Sequence, residues 1–281
     1  MRGRRFWGCS RRAGLCSAAV ADVVELFHRE LGGAGTPPLV ILHGLLGSSR
    51  NWQTAGRDLA ARFHVRALDL RNHGSSPHAA EMSYDAMVAD VVAWLDRQQT
   101  GRVTLLGHSM GGKVAMALAA GWPERVARLV VVDIAPKDYR WAAHRAEFAA
   151  MNELDLAHLN SRAEAELKFE ARVDDWAMRK FLATNLERTD NGRWRWQINL
   201  PVLTSALPAL EQNALAANAG FTGPTLFVTG ERSTYVSPDD QATIRRHFPA
   251  VEFRIVAGAG HNPHMDRRAE FVGAVIEAAA P

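Results

Sequence analysis

The sequence predicts an α/β fold, a mostly parallel sheet flanked by helices, with a helical cap inserted after the sixth strand. Three observations carry that prediction. Short apolar runs alternate with amphipathic stretches, which is the pattern of repeated βαβ units. A Gly-x-Ser-x-Gly pentapeptide spans Gly107, Ser109 and Gly111, between one such run and the next helical stretch. The strand-like runs then stop over residues 137–219 and resume after them.

The elements follow in order. "PLVILHG" (38–44) reads as a strand running into a glycine turn, and "HVRALDL" (64–70) as a second strand. "SYDAMVADVVAWLDR" (83–97) has apolar residues at helical spacing behind Ser83, a good N-cap. "RVTLLG" (102–107) is a strand, "MGGKVAMALAAGW" (110–122) a helix and "RLVVVD" (128–133) a strand again. Residues 137–219 mix charged and apolar residues at helical spacing, with "RWRWQINLPVL" (193–203) as one ambiguous, extended piece. "PTLFVTG" (224–230) and "VEFRIVAG" (251–258) resume the strands, and "RRAEFVGAVIEAA" (267–279) is a closing helix. The core is thus expected over residues 22–136 and 220–281.

Composition narrows the function classes. The net charge is +3, but Arg2, Arg4, Arg5, Arg11 and Arg12 lie in the acid-free first 21 residues; without them the chain stands at −2. The body carries no basic face for nucleic acid. No run reaches the 18 or more apolar residues of a membrane span. Cys9 and Cys16 are the only cysteines, so the body has neither a disulfide framework nor a cysteine zinc site. Residues 1–21 read as a disordered start or a targeting segment. The expected location is cytoplasmic, with an organelle or export as the alternative if the segment is an address.

Chemistry concentrates in three loops. In "GHSMGG" (107–112) the serine sits on a sharp turn that lifts its hydroxyl clear of the sheet, and the glycines relieve the crowding. The helix that follows points its N-terminus at developing negative charge. Ser109 is therefore the candidate nucleophile. In "VVVDIAP" (130–136) a buried strand ends in Asp133, a carboxylate that needs a partner. "GAGHNPHMD" (258–266) offers His261 and His264 as candidate bases. Those two make a His-x-x-His pair, but no third metal ligand is evident, so neither metal nor organic cofactor is expected.

"LDLRNHGSSPH", "MSYDAM", "GHSMGGK" and "VDIAPKDY" together resemble the α/β-hydrolases, from about residue 22 to the end. Within them they resemble the YbfF-type esterases and the related mitochondrial abhydrolase-domain proteins. The resemblance implies an oxyanion hole from the backbone N–H groups of Leu45, in "HGLLGS", and Met110. It makes His261, directly after Gly-Ala-Gly, the base. In many members the acid lies three residues past the glycine ending the seventh strand, and Ser233 occupies that slot here. The fold's second acid position, after the sixth strand, holds Asp133, and the YbfF-type branch displaces its acid in the same way. The implied triad is Ser109, Asp133 and His261, in the fold's chain order. Two alternatives stay open: Asp133 caps only its own turn, or Glu231 is the acid. Asp69 is expected to brace the "RNHG" loop.

His43, His108, Asn72, Tyr235 and His264 are the candidate substrate-pocket residues, with structural hydrogen bonding the competing role for His43, Arg71, Asn72 and His73. Trp141, Trp176, Trp194 and Trp196 read as cap core or acyl-binding wall. The expected activity is hydrolysis of a small-molecule carboxylic ester or acyl thioester through an acyl-enzyme. The same residues serve an acyltransferase, a carbon–carbon hydrolase, a cofactor-free haloperoxidase or a low-turnover ligand sensor, and fold alone does not choose.

Overall fold

The computed structural model describes residues 22–278, so the expectations for residues 1–21 lie outside the described residues. Nine strands are present among them: β1 His28–Gly32, β2 Pro38–Leu42, β3 His64–Leu68, β4 Val103–His108, β5 Val126–Val132, β6 Leu186–Arg188, β7 Trp194–Trp196, β8 Thr225–Gly230 and β9 Val251–Val256. The helices are α1 Gln53–Leu59, α2 Tyr84–Arg97, α3 Met110–Gly121, α4 Ala142–Glu153, α5 Arg162–Phe169, α6 Trp176–Ala183, α7 Leu200–Leu210, α8 Asp240–His247, α9 Pro263–Asp266 and α10 Arg268–Ala278.

Seven strands form one sheet in the order β1-β3-β2-β4-β5-β8-β9. Every neighbouring pair is parallel except β1 with β3. Strand residues alternate between its two faces. Val40 and Leu42 join the core beneath α2 and α3, while Leu39 and Ile41 join the core beneath α1 and α10. Covering both faces explains why the inner strands read as unbroken apolar runs. Ser83 caps α2 as expected, its side chain accepting from the Ala86 N–H, a contact worth about 1 kcal/mol.

The register positions the site. His108 pairs with Val132, Val132 with Val228, and Gly230 with Val256. The carboxyl ends of β4, β5, β8 and β9 therefore lie side by side along one edge, where ligands bind in open parallel sheets.

Between β5 and β8 run α4 to α7 and the two-stranded β6–β7 hairpin. In chain order this insertion follows the fifth strand among the described residues, one fewer than the count from sequence, because only β1 precedes β2 there. "RWRWQINLPVL" is extended only over Trp194–Trp196 and turns helical at Leu200, with Pro201 in the first turn, where its missing N–H costs nothing. Buried Lys113 of α3 ties the end of α7 to the core. It donates to the carbonyls of Leu210, Glu211 and Gln212 at 3.3, 3.1 and 2.6 Å. Trp141, Trp194 and Trp196 pack with the core, whereas Trp176 is exposed. No described helix is long and apolar enough to cross a membrane.

Candidate active site

Ser109 joins β4 to α3 with φ 52° and ψ −120°, a left-handed conformation that costs a non-glycine residue about 1–3 kcal/mol. Its N–H donates to the Val132 carbonyl at 3.0 Å and its carbonyl accepts from Gly112 N–H at 2.8 Å. The flanking glycines are required by contact: a Cβ on Gly107 would lie 2.2 Å from the Gly111 oxygen, and one on Gly111 2.5 Å from the Leu42 and His43 oxygens.

Asp133, at φ 53°, ends β5 and is wholly buried. Its partner is His261. The imidazole Nδ1–H donates to Oδ2 at 2.7 Å, and a ring whose Nδ1 carries the proton keeps its lone pair on Nε2. Two further donors fill the carboxylate: the Gly230 N–H reaches Oδ1 at 3.1 Å, and the Ser233 hydroxyl donates to Oδ2. Ser233, in the slot where an acid stands in many members of the resembled family, thus donates to the carboxylate at the end of the neighbouring strand. Glu231, the alternative acid, accepts from the Gly258 N–H at 2.7 Å and is exposed. The Tyr235 ring stacks on His261, with centroids 3.7 Å apart and 17° between planes.

The loop after β2 is built to hold its shape. Leu46 has φ 61°, its N–H reaches His73 Nε2 at 3.3 Å, and its carbonyl accepts from Asn185 Nδ2 of the insertion at 3.0 Å. His43 donates to the Gly44 carbonyl at 2.8 Å and accepts from the Leu70 N–H at 2.9 Å. Burial lowers His43 and takes His73 to about 3, so both remain neutral acceptors. Among the described residues, the backbone N–H groups of Leu45 and Met110 donate to no protein acceptor, the condition an oxyanion donor must meet.

A cavity of about 460 Å³ opens over these groups. Ser109, His261, Leu45, His43, His108, Tyr235 and His264 all border it. His43 is spent on structure, as above. Asn72 does not line the cavity and is corrected as a pocket residue. Its Oδ1 accepts from the Ala79 N–H at 2.8 Å and from Asn199 Nδ2 at 3.0 Å, which pins the start of α7. Arg71 is likewise structural, bound to Asp90 at 2.6 Å. Asp69 braces its loop, accepting from the N–H groups of Ser49 at 2.6 Å and Ser75 at 2.8 Å. None of the four tryptophans of residues 137–219 borders the cavity; Trp52 does. His264 stacks on Trp52 at 4.0 Å, and His108 donates from Nε2 to the His261 carbonyl at 2.8 Å. Burial drives His108 well below the usual imidazole range and His264 to about 3. Both stay uncharged beside His261.

Sequence reasoning missed Ser233 as a donor, Trp52, and a pair on α4 in which His144 Nδ1 donates to Glu147 at 2.6 Å. The Ser233 signal was visible, since a hydroxyl stood in an acid's place. The α4 pair had no signal, because nothing local says which face of that helix meets the cavity. Among the described residues no group of three or more His, Cys, Asp or Glu side chains is placed to hold a metal ion.

Residues 37–268 match the family model described as alpha/beta hydrolase fold. The chain is 38% identical over 281 residues to the sn-1-specific diacylglycerol lipase ABHD11 of Danio rerio, covering 96% of this chain and 87% of that protein. It is 36% identical over 230 residues to esterase YbfF of Escherichia coli (strain K12), covering 82% and 88%. A solved structure, a marine microorganism esterase, superposes with TM-score 0.88 at 35% identity, covering 90% of this chain and 99% of that one.

Proposed function

The chain belongs to the α/β-hydrolase fold family, and from that premise we propose how it acts. It is a serine hydrolase of carboxylic esters. Ser109 attacks the ester carbonyl while His261 Nε2 takes its proton, and the backbone amides of Leu45 and Met110 hold the oxyanion. His261 then returns the proton to the departing alcohol, leaving an acyl-enzyme on Ser109. Water attacks that ester with the same base, releasing the acid and restoring the serine. Asp133 keeps the imidazole in the right tautomer and balances the imidazolium that forms. One observation carries this assignment: the 2.7 Å bond from His261 to a buried carboxylate, over a cavity shared with the strained Ser109.

Residues 137–219 act as a cap, a role supported by Ala143 and Glu147 of α4 and Met178 and Phe181 of α6 on the cavity wall. Leu45, Leu46, Trp52, Met178, Phe181 and Met265 make the wall largely apolar, which suits an acyl chain; each buried methylene contributes about 0.8 kcal/mol. Together with the similarity to a diacylglycerol lipase, this favours a neutral lipid ester over a short polar one. Both cysteines lie in residues 1–21, and a body free of them fits a reducing compartment such as the cytoplasm.

The test is hydrolysis of p-nitrophenyl esters from acetate to palmitate by the wild type and Ser109→Ala. Turnover by the wild type and a loss of about 10⁴-fold or more in the variant are expected. Equal rates, or no turnover of any ester by either protein, would overturn the assignment.

A further inference from the structure

The carboxylates on the cavity wall are not equivalent. Asp175 accepts from the Ala177 N–H at 2.8 Å and Asp266 from the Gly260 N–H at 2.7 Å, so each serves a turn of its own chain. Glu147 serves none. It is 5% exposed, and one oxygen takes the His144 proton at 2.6 Å. Its other oxygen accepts from no group among the described residues. That oxygen keeps access to the cavity that Glu147 borders, so it is free to accept from a group that enters. A polar atom of another cavity-wall residue, His264 Nδ1, is buried with no partner. Among the described residues no Lys or Arg borders this cavity, while Glu147, Asp175 and Asp266 do. Glu147 also lies near the chemistry. Burial, followed by the Glu147 and Asp133 carboxylates, pushes the phenol of Tyr235 up to about 12, and Tyr235 stacks on His261.

We infer that Glu147, oriented by His144, is the specificity-determining residue that accepts a hydroxyl of a neutral ester and turns anionic esters away. This rests on the ester-hydrolase reading above and narrows its substrate class to neutral, hydroxyl-bearing esters. A hydroxyl bound to a carboxylate is held more firmly than one bound to a neutral acceptor. A site built around such a bond discriminates against the analogue that lacks it. An anion drawn into the same cavity meets the carboxylates of Glu147, Asp175 and Asp266 with no Lys or Arg among the described residues on the wall to offset them.

Three esters of one acid separate the terms: 1-monohexanoylglycerol, propyl hexanoate and 3-(hexanoyloxy)propanoate. Release of hexanoate gives kcat/KM for each. In the wild type the glycerol ester should exceed the propyl ester by about tenfold or more, and the propyl ester should exceed the carboxylate by about tenfold or more. Glu147→Gln keeps the shape and removes the charge. It should bring the anionic and propyl esters within about threefold of each other and cut the hydroxyl preference several-fold. The wild-type ratios stand as a test even if the variant does not fold. Wild-type ratios near one, or ratios unchanged in Glu147→Gln, overturn this inference while leaving the hydrolase reading intact. Failure to hydrolyse these esters and the p-nitrophenyl series alike overturns both.

Discussion

Replacing Asp133 with asparagine removes a charge from a cage of donors. Oδ2 receives the His261 Nδ1–H at 2.7 Å and the Ser233 hydroxyl, and Oδ1 receives the Gly230 N–H at 3.1 Å. The side chain is wholly buried, so the new NH₂ group must meet a donor whichever way it turns. If it takes the place of Oδ2, it confronts Nδ1–H, and the imidazole escapes only by moving its proton to Nε2. The base is then lost. If it takes the place of Oδ1, it confronts the Gly230 N–H and leaves a buried hydrogen bond unmade, at about 1–3 kcal/mol. In both orientations the imidazolium formed on Ser109 attack has no counter-charge. The expected fall in kcat is about 10⁴-fold, or about 5 kcal/mol of barrier, with KM for p-nitrophenyl butyrate within a few-fold of wild type. Circular dichroism checks that the variant is folded. Glu231→Gln is the control, because that carboxylate is committed to Gly258, and it should stay within about twofold. A folded Asp133→Asn enzyme within tenfold of wild type, or a larger loss in Glu231→Gln, would refute the reasoning.

Ser233→Ala removes one of three donors to Asp133 and should lower kcat by about tenfold, with activity restored by Ser233→Thr. A loss above 10³-fold, or no rescue by threonine, would mean that Ser233 does more than orient the carboxylate. His264 gives a pH dependence of stability. Burial holds it at about 3, against 6.5 for a free imidazole. Between those values the unfolded chain takes up a proton that the folded chain refuses, so stability falls as pH drops below 6.5, by about 2 kcal/mol at pH 5 for this residue alone. His264→Phe keeps a ring against Trp52 and should make the fall in melting temperature between pH 6.5 and 5 shallower than in wild type, the remainder coming from buried His43, His73 and His108; a slope equal to that of wild type would count against it.

The sheet and the sharp turn at Ser109 were legible because both are written locally. Alternating apolar runs mark β2, β4, β5 and β8, and the glycines around Ser109 follow from a backbone that a Cβ would strike at 2.2 Å. Strand β1 was not legible. "HRELG" is a short polar strand paired, among the described residues, with β3 alone, so it carries no buried run to announce it. The pocket was half legible. His108, His264 and Tyr235 flank catalytic motifs and border the cavity, but Asn72 was misread because its polarity serves Ala79 and Asn199, far along the chain. Glu147 was invisible for the complementary reason: on α4 it looks like one charge among many, and only packing turns it toward the cavity.

The position of the Asp133 carboxylate follows from sheet geometry. Val132 and Val228 are paired neighbours, so the residues just past β5 and β8 arrive at one point on the sheet edge. The Gly230 N–H, at the end of β8, donates to the Asp133 carboxylate at the end of β5, and Ser233 reaches the same carboxylate from three residues further on. A charge delivered from either strand therefore meets the same imidazole, and what must be kept is the pair: one residue carrying the charge and one donating to it. On this view Ser233 is the donor that complements the Asp133 carboxylate. The left-handed turn at Asp133, φ 53°, is the strain accepted to bring a carboxylate out of β5 at the place where the neighbouring loop would otherwise have supplied it.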